Sequence, residues 1–350
     1  MRKVAVIMSK KIKCVVWDLD DTLWNGILIE DKFVDLKKGI LDVIKTLDMR
    51  GILQSICSKN YENDAMEQLK HLGIAEYFIY PQISWDNKAD GIERIAKSIN
   101  ISIDTLMFID DQKFERDEVN FVHKDVLCIE PPEDIATILD MDELNPRFVT
   151  EDSCIRRQLY QTDIIRNEAE KNYIGSKVDF LKTLDMKVSI KEADVEDLKR
   201  VEELTVRTHQ MNSTGYTYSY EELLELIKSD KYTVIVVQLD DKYGTYGKIG
   251  VILLRMHATY WNLYLLLMSC RVMSRGVGSV MLNYIINLAR KNNVKLHARF
   301  VETDRNRMMY MTYKFAGFKE ISRNDDTVVL EADMSADRVI PEYYEIEVKL

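Results

Sequence analysis

Short apolar runs recur along the first half of the chain, each followed by a polar cluster and then by an amphipathic stretch. Cys14-Val15-Val16-Trp17 runs into Asp18-Leu19-Asp20-Asp21-Thr22. In residues 36–49, Leu36, Ile40, Val43, Ile44 and Leu47 keep the three- and four-residue spacing of a one-faced helix, and Gly51 ends it. Residues 52–57 predict a strand that stops at Ser58-Lys59-Asn60, and residues 62–71 a helix closed by Gly73. A strand over 77–80 is ended by Pro81, and Lys88 falls in a polar loop before a helix over 91–99. A strand over 106–109 stops at Asp110-Asp111. This alternation predicts an open parallel sheet with helices on both faces, whose reactive groups lie at the carboxyl ends of its strands.

The pattern changes after Glu130-Pro131-Pro132-Glu133. A short helix near 135–141 is followed by a charged, helical stretch over 150–171 with Arg156, Arg157, Tyr160 and Arg166, read as a connector. From 186 on, strands dominate: 186–190, a hairpin of 232–239 and 247–255 around the turn 240–244, and an almost wholly apolar run over 261–268. A helix over 195–208 leads into the polar loop Arg207-Thr208-His209-Gln210-Met211-Asn212-Ser213-Thr214-Gly215, which has the composition of a binding surface. An amphipathic helix covers 280–291, and charged strands follow 325. The expected organisation is a parallel-sheet α/β domain over 1–145, a helical connector over 146–180, and an α+β mixed-sheet domain over 181–350.

Composition narrows the function classes. The 350 residues suit two domains, and a net charge of −10 argues against general affinity for nucleic-acid backbone. No apolar run reaches the ~20 residues that span a bilayer, and the apolar segment within residues 1–10 is too short for a signal peptide. The five cysteines lack CxxC spacing, which fits a reducing, cytoplasmic setting better than a disulfide framework or a zinc site. No membrane or nucleic-acid partner is expected.

The chemistry concentrates at the strand ends. Asp18, Asp20 and Asp21 put three acids within four positions, a repulsive arrangement unless a cation sits among them. A hard divalent ion such as Mg²⁺ is the natural occupant. Ser58, Lys88 and Asp110-Asp111 stand at the ends of the other strands. In the second half, the apolar run 261–268, the basic glycine-containing loop Ser269-Cys270-Arg271-Val272-Met273-Ser274-Arg275-Gly276-Val277-Gly278 and a following helix read as an anion cradle. Arg271, Arg275, Gly276 and Gly278 are its cofactor-binding residues in this reading. Cys270, flanked by these arginines and a helix start, is placed where a thiol pKa would fall. Cys14 and Cys57 read as small buried hydrophobes.

Asp18-x-Asp20-x-Thr22, Ser58, Lys88 and Asp110-Asp111, in that order over residues 11 to about 130, resemble the haloacid dehalogenase superfamily of aspartyl-phosphate phosphohydrolases. The resemblance implies Asp18 as nucleophile and Asp20 as acid and base. Ser58 and Lys88 would bind the phosphoryl oxygens. Asp18, the Asp20 carbonyl and Asp111, with Asp110 as second acid, would hold Mg²⁺. Val16-Trp17-Asp18-Leu19-Asp20-Asp21-Thr22-Leu23-Trp24 and Phe108-Ile109-Asp110-Asp111-Gln112-x-x-Glu115-Arg116 look like the FkbH-like branch, subfamily IIIC, where many members have Asn in place of Asp21. Residues 185–320, with Asn306-x-x-x-Tyr310 and Phe315-Ala316-Gly317-Phe318, are similar to the GCN5-related N-acetyltransferases. The slot that family usually fills with Gln or Arg holds Met273. The FkbH-like family has a matching Ser-Cys-Arg at Cys270, which implies that Cys270 carries an acyl group.

The implied activity converts 1,3-bisphosphoglycerate, a phosphorylated three-carbon metabolite, to a glyceryl thioester on the phosphopantetheine of an acyl carrier protein. The alternative is a small-molecule phosphatase fused to a CoA-dependent N- or O-acyltransferase.

Overall fold

The computed structural model describes residues 11–31 and 33–349, and the chain divides into two units, 1–161 and 162–350. The stretch expected as connector is therefore shared out: its part up to Gln161 is counted with the first unit and its part from Thr162 with the second.

In the first unit, β1 (Cys14–Trp17), β4 (Leu53–Ser58), β5 (Gln82–Ile83), β6 (Leu106–Ile109) and β7 (Leu127–Ile129) form one parallel sheet in the order β5-β4-β1-β6-β7. β1 is central and wholly buried because apolar helices cover both faces. One face packs Trp17, Ile56 and Met107 with Ile40, Val43, Ile44 and Leu47 of α1 (Ile40–Met49). The other packs Cys14, Val16 and Phe108 with Ile92, Ile95 and Ile99 of α3 (Lys88–Ile99). The remaining helices are α2 (Glu62–His71), α4 (Lys113–Val122) and the short α5 (Glu151–Cys154).

Three expected boundaries shift. Leu36 is not helical: β3 (Asp35–Leu36) pairs with β2 (Trp24–Asn25) as a small ribbon, and Gly39 in the left-handed region starts α1. The strand expected over 77–80 is only a single bridge from Phe78 to Gln54; the paired strand follows Pro81 instead, since a residue without an N–H is tolerated just ahead of a strand. Lys88 is the first residue of α3 rather than a loop residue, because the Asn87 side chain caps that helix by accepting from the Ala89 N–H at 2.7 Å.

α6 (Arg156–Asn172) runs from the first unit into the second. In the second unit, α7 (Lys177–Lys182), β8 (Met186–Glu192), α8 (Leu198–Arg207), α9 (Tyr220–Ile227), β9 (Tyr232–Asp241), β10 (Gly244–Met256), β11 (Tyr260–Met268), α10 (Val277–Lys291), β12 (Lys295–Val301), α11 (Arg307–Phe315), β13 (Phe318–Asn324), β14 (Thr327–Ala332) and β15 (Tyr344–Lys349) follow in turn. The mixed sheet runs β13-β14-β12-β11-β10-β9-β8-β15, antiparallel except for the β11–β12 and β15–β8 pairs. α10 is the crossover between parallel β11 and β12. The charged segment after 325 supplies β14 and the edge strand β15. Among the described residues, no helix is long and apolar enough to cross a membrane.

Candidate active site

The backbone turns sharply after β1. The Leu19 carbonyl accepts from the Thr22, Leu23 and Trp24 N–H groups, and Asp21 adopts a left-handed φ of 48°. Acidic and amide residues tolerate that conformation because their short polar side chains bond locally. Asp21 does so: its exposed carboxylate accepts from the Gly26 N–H at 3.0 Å, which accounts for an acid that the motif alone left unexplained.

The turn leaves Asp18 buried beside three neighbours. Lys88 donates to Asp18 Oδ1 at 2.8 Å and to Asp110 Oδ2 at 2.5 Å. Lys88 reaches that depth because α3 lies close on β4: a Cβ at Gly91 would sit 2.6 Å from Cys57 Sγ. Thr22 Oγ1 accepts from the Asp111 N–H at 3.0 Å and faces Asp111 Oδ1 at 3.3 Å, so the two loops hold each other. Asp110 Oδ1 accepts from the Gln112 N–H at 2.8 Å, and Arg116 donates to the Asp110 carbonyl at 2.6 Å. The carboxylates of Asp18, Asp110 and Asp111 each offer an oxygen within 4.8 Å of the others.

Two buried carboxylates thus share one ammonium, and the Asp111 carboxylate lies close beside them. Burial pushes Asp18 up to about 7, against the pull of Lys88 and with a further push from Asp110; a Ser58 hydrogen bond pulls down. Asp111 is also raised, by burial and then by Asp110. Burial works against the charge on Lys88, but Asp18 and Asp110 outweigh it and hold the lysine protonated well above its ordinary range. The unmatched negative charge and the all-oxygen donor set fit a hard divalent cation.

Asp20 points elsewhere. Its Oδ1 accepts from Trp24 Nε1 at 2.8 Å and from the Leu28 N–H at 3.0 Å; its Oδ2 accepts from Asn60 Nδ2 at 2.9 Å. Its side chain is not one of the three clustered carboxylates, which leaves only its backbone carbonyl as the expected metal donor. The sequence patterns passed over Asn60 and the Trp24 indole. Their signal was positional: Asn60 lies two residues beyond Ser58, and Trp24 four beyond Asp20.

In the second unit, the two arginines of the expected anion cradle pair with acids of the same unit. Arg275 is buried, with its guanidinium on Glu170 at 2.7 Å and over the Phe180 ring. Arg271 pairs with Asp163 at 3.4 Å and donates to the Tyr246 carbonyl at 2.6 Å. Both charges are engaged inside the protein. Gly276, at a φ of 77°, makes the left-handed turn into α10, and Gly278 allows close packing, since a Cβ there would lie 2.7 Å from Met268 Cε. Cys270 is half-buried and packs against the core of this unit. Cys14 and Cys57 are buried as expected, and burial raises Cys57 to about 12.

The polar loop expected as a binding surface is in part structural. β11 and β12 pair only over Tyr260–Leu263 and Lys295–Ala298. Beyond that, Met211, Asn212 and Ser213 fill the gap. The Met268 N–H donates to Met211 O at 3.0 Å, the Ser213 N–H to Leu266 O at 2.9 Å, and the Val301 N–H to Ser213 O at 2.9 Å. Asn306, fully buried, donates to the carbonyls of Asn212 at 3.1 Å and Val301 at 2.8 Å and accepts from the Thr303 N–H at 2.9 Å. Asn306→Ala strands these groups and is expected to cost about 2–4 kcal/mol, read from the midpoint of chemical denaturation followed in the second unit. A loss below about 1 kcal/mol would show that the filling segment holds without its brace.

The family model for haloacid dehalogenase-like hydrolases matches residues 22–117. The match lies wholly within the first unit, over the stretch that holds Ser58, Lys88, Asp110 and Asp111. Among solved structures, the chain is similar to the phosphatase-containing N-terminal part of a Bacteroides fragilis protein solved with Mg, at 32% identity and a TM-score of 0.35. That match covers 39% of this chain and 40% of the other, so the chain spans well under half of that relative's length. It is also similar to the PaiA N-acetyltransferase of Thermoplasma acidophilum, solved with coenzyme A, at 17% identity and a TM-score of 0.33, over 41% of this chain and 98% of that one. The spermidine N-acetyltransferase of Vibrio cholerae, solved with CoA and spermine, is 16% identical over 41% and 92% of the two chains, with a TM-score of 0.32. No curated protein matches the chain.

Proposed function

We propose that the first unit is a Mg²⁺-dependent phosphomonoesterase working through an aspartyl-phosphate on Asp18. The observation that carries this is buried Asp18 and Asp110, both bonded to Lys88, with half-buried Asp111 close enough to share a cation with them. An Asp18 oxygen attacks phosphorus, the ester P–O bond breaks, and the departing oxygen takes a proton from Asp20. Water then attacks the phosphorus, gives its proton to Asp20, and releases phosphate and the Asp18 carboxylate. Lys88 and Ser58 hold phosphoryl oxygens throughout. Asp18, Asp110, Asp111 and the Asp20 carbonyl would hold Mg²⁺, which supplies charge neutralisation on the phosphoryl group.

In the whole chain this activity serves glyceryl transfer. A thiol, Cys270, displaces the C1 acyl phosphate of 1,3-bisphosphoglycerate to form a thioester and release phosphate. The first unit removes the other phosphate, and the glyceryl group passes to the pantetheine thiol of an acyl carrier protein. The engagement of Arg271 and Arg275 in internal ion pairs favours a carrier-borne pantetheine, with one phosphate, over free CoA. The FkbH-like motifs around Asp18 and Asp110 and the Ser-Cys-Arg at Cys270 support the same reading.

Incubation with Mg²⁺, 1,3-bisphosphoglycerate and a holo carrier protein is expected to add a glyceryl mass to the carrier by intact-protein mass spectrometry, and Cys270→Ala to abolish it. No increment across several cognate carriers overturns the glyceryl reading. Binding of acetyl-CoA with turnover indifferent to Cys270→Ala would establish the fused acyltransferase in its place.

A further inference from the structure

We propose that Asn60 is a positioning residue that sets Asp20 in register with the phosphate site, and that this site is built for phosphate esters of aliphatic alcohols. The inference rests on the aspartyl-phosphate reading above. The Asn60 amide is buried and spends its donors in two directions, to Asp20 Oδ2 at 2.9 Å and to Ser58 Oγ at 3.3 Å. Asn60 therefore ties Asp20, the proton donor, to Ser58, the residue at the end of β4 that faces the phosphoryl group.

The other oxygen of Asp20 is held by its own loop, through Trp24 Nε1 at 2.8 Å and the Leu28 N–H at 3.0 Å. Asn60 is what links Asp20 to β4, the strand that ends in Ser58. Holding a carboxyl from two elements fixes where its proton is delivered. Such precision matters most when the leaving group is a poor one. An alkoxide cannot leave without a proton, whereas 4-nitrophenolate leaves almost unaided. General acid catalysis contributes roughly 10²–10⁴-fold to the first case and little to the second.

The test compares kcat/KM for glycerol 3-phosphate and 4-nitrophenyl phosphate with Mg²⁺, since this constant covers the steps through expulsion of the leaving group. In Asn60→Ala the alkyl-to-aryl ratio is expected to fall by about 100-fold. Asn60→Leu, which removes both donors at nearly constant volume and adds no charge, should show the same selective loss and keeps the test valid if the alanine variant folds poorly. Equal losses on the two esters, or an unchanged ratio, would overturn the positioning role. A wild-type protein that hydrolyses neither ester overturns the phosphomonoesterase reading itself, which is a different result.

Discussion

Asp18→Asn is expected to lower metal-dependent phosphate release on the order of 10⁴-fold or more, the scale on which covalent mechanisms lose rate without their nucleophile. The amide keeps the shape of the carboxylate and can still accept from Lys88, so the fold should be untouched. The same change has a second, opposite consequence. Because burial raises Asp18 from 3.8 towards about 7, its ionisation works against the folded state. The stability this group contributes is present at pH below its ordinary pKa and is lost as pH rises through about 7. Metal-free wild type should therefore lose stability over that window, and Asp18→Asn should lack that part of the slope. At pH 8 without metal, the variant is expected to melt no lower than wild type, while added Mg²⁺ stabilises wild type by mass action and the variant less. Phosphate assays and melting curves at two pH values check both halves. Full phosphate release by the variant would dispose of the aspartyl-phosphate, and a lower metal-free melting point would dispose of the charge argument.

Arg166→Ala is expected to destabilise the second unit by about 3–5 kcal/mol, the cost of leaving a buried charge without its partner. The Arg166 side chain is fully buried. It grips Asp241 with two bonds of 2.9 Å, reaches Asp163 at 2.9 Å and the Gly244 carbonyl at 2.7 Å, and lies 3.7 Å from the centre of the Tyr246 ring. Tyr246 donates its hydroxyl to the same Asp241 at 2.9 Å. Loss of the guanidinium strands Asp241 inside the β9–β10 hairpin. Arg166→Lys should recover little, because an ammonium cannot make the bidentate contact or stack on the ring. Calorimetry of the full chain reads the result as a lowered transition for the second unit. A shift worth less than about 1 kcal/mol would mean that the hairpin is held by its apolar side chains alone.

The strand-and-helix rhythm of the first unit was legible because each apolar run was short, bounded by polar residues and followed by a one-faced helix. The acids at its strand ends were legible because buried strands rarely stop in paired carboxylates. Residues 36–39 were misread as the start of α1 because Leu36 happens to fit its helical spacing; the pairing of Leu36 with Trp24 is a tertiary fact that no local period encodes. Asn60 escaped notice because an amide just past a strand end is ordinary, and only its reach to Asp20 makes it special. Arg166 lay in a charged stretch read as a connector, and nothing local marked it as the cation that is wholly enclosed. For Arg271 and Arg275, the partners were what the local sequence hid. A basic loop before a helix promises an anion, and the acids that answer it, Asp163 and Glu170, stand more than a hundred residues earlier in the chain.

The short segment wedged between β11 and β12 works as a brick rather than as mortar. Met211 and Ser213 reach β11 on one side, and Ser213 and Asn306 reach β12 on the other, so its bonds are shared between two edges that do not touch each other there. Such a gap does not widen by degrees. Drawing the segment out breaks its bonds to both strands together and exposes two rows of unpaired peptide groups at once. Anything that is to lie between those strands must therefore arrive as a replacement of matching length and hydrogen-bonding pattern. The sheet admits substitution at that seam and resists dilation.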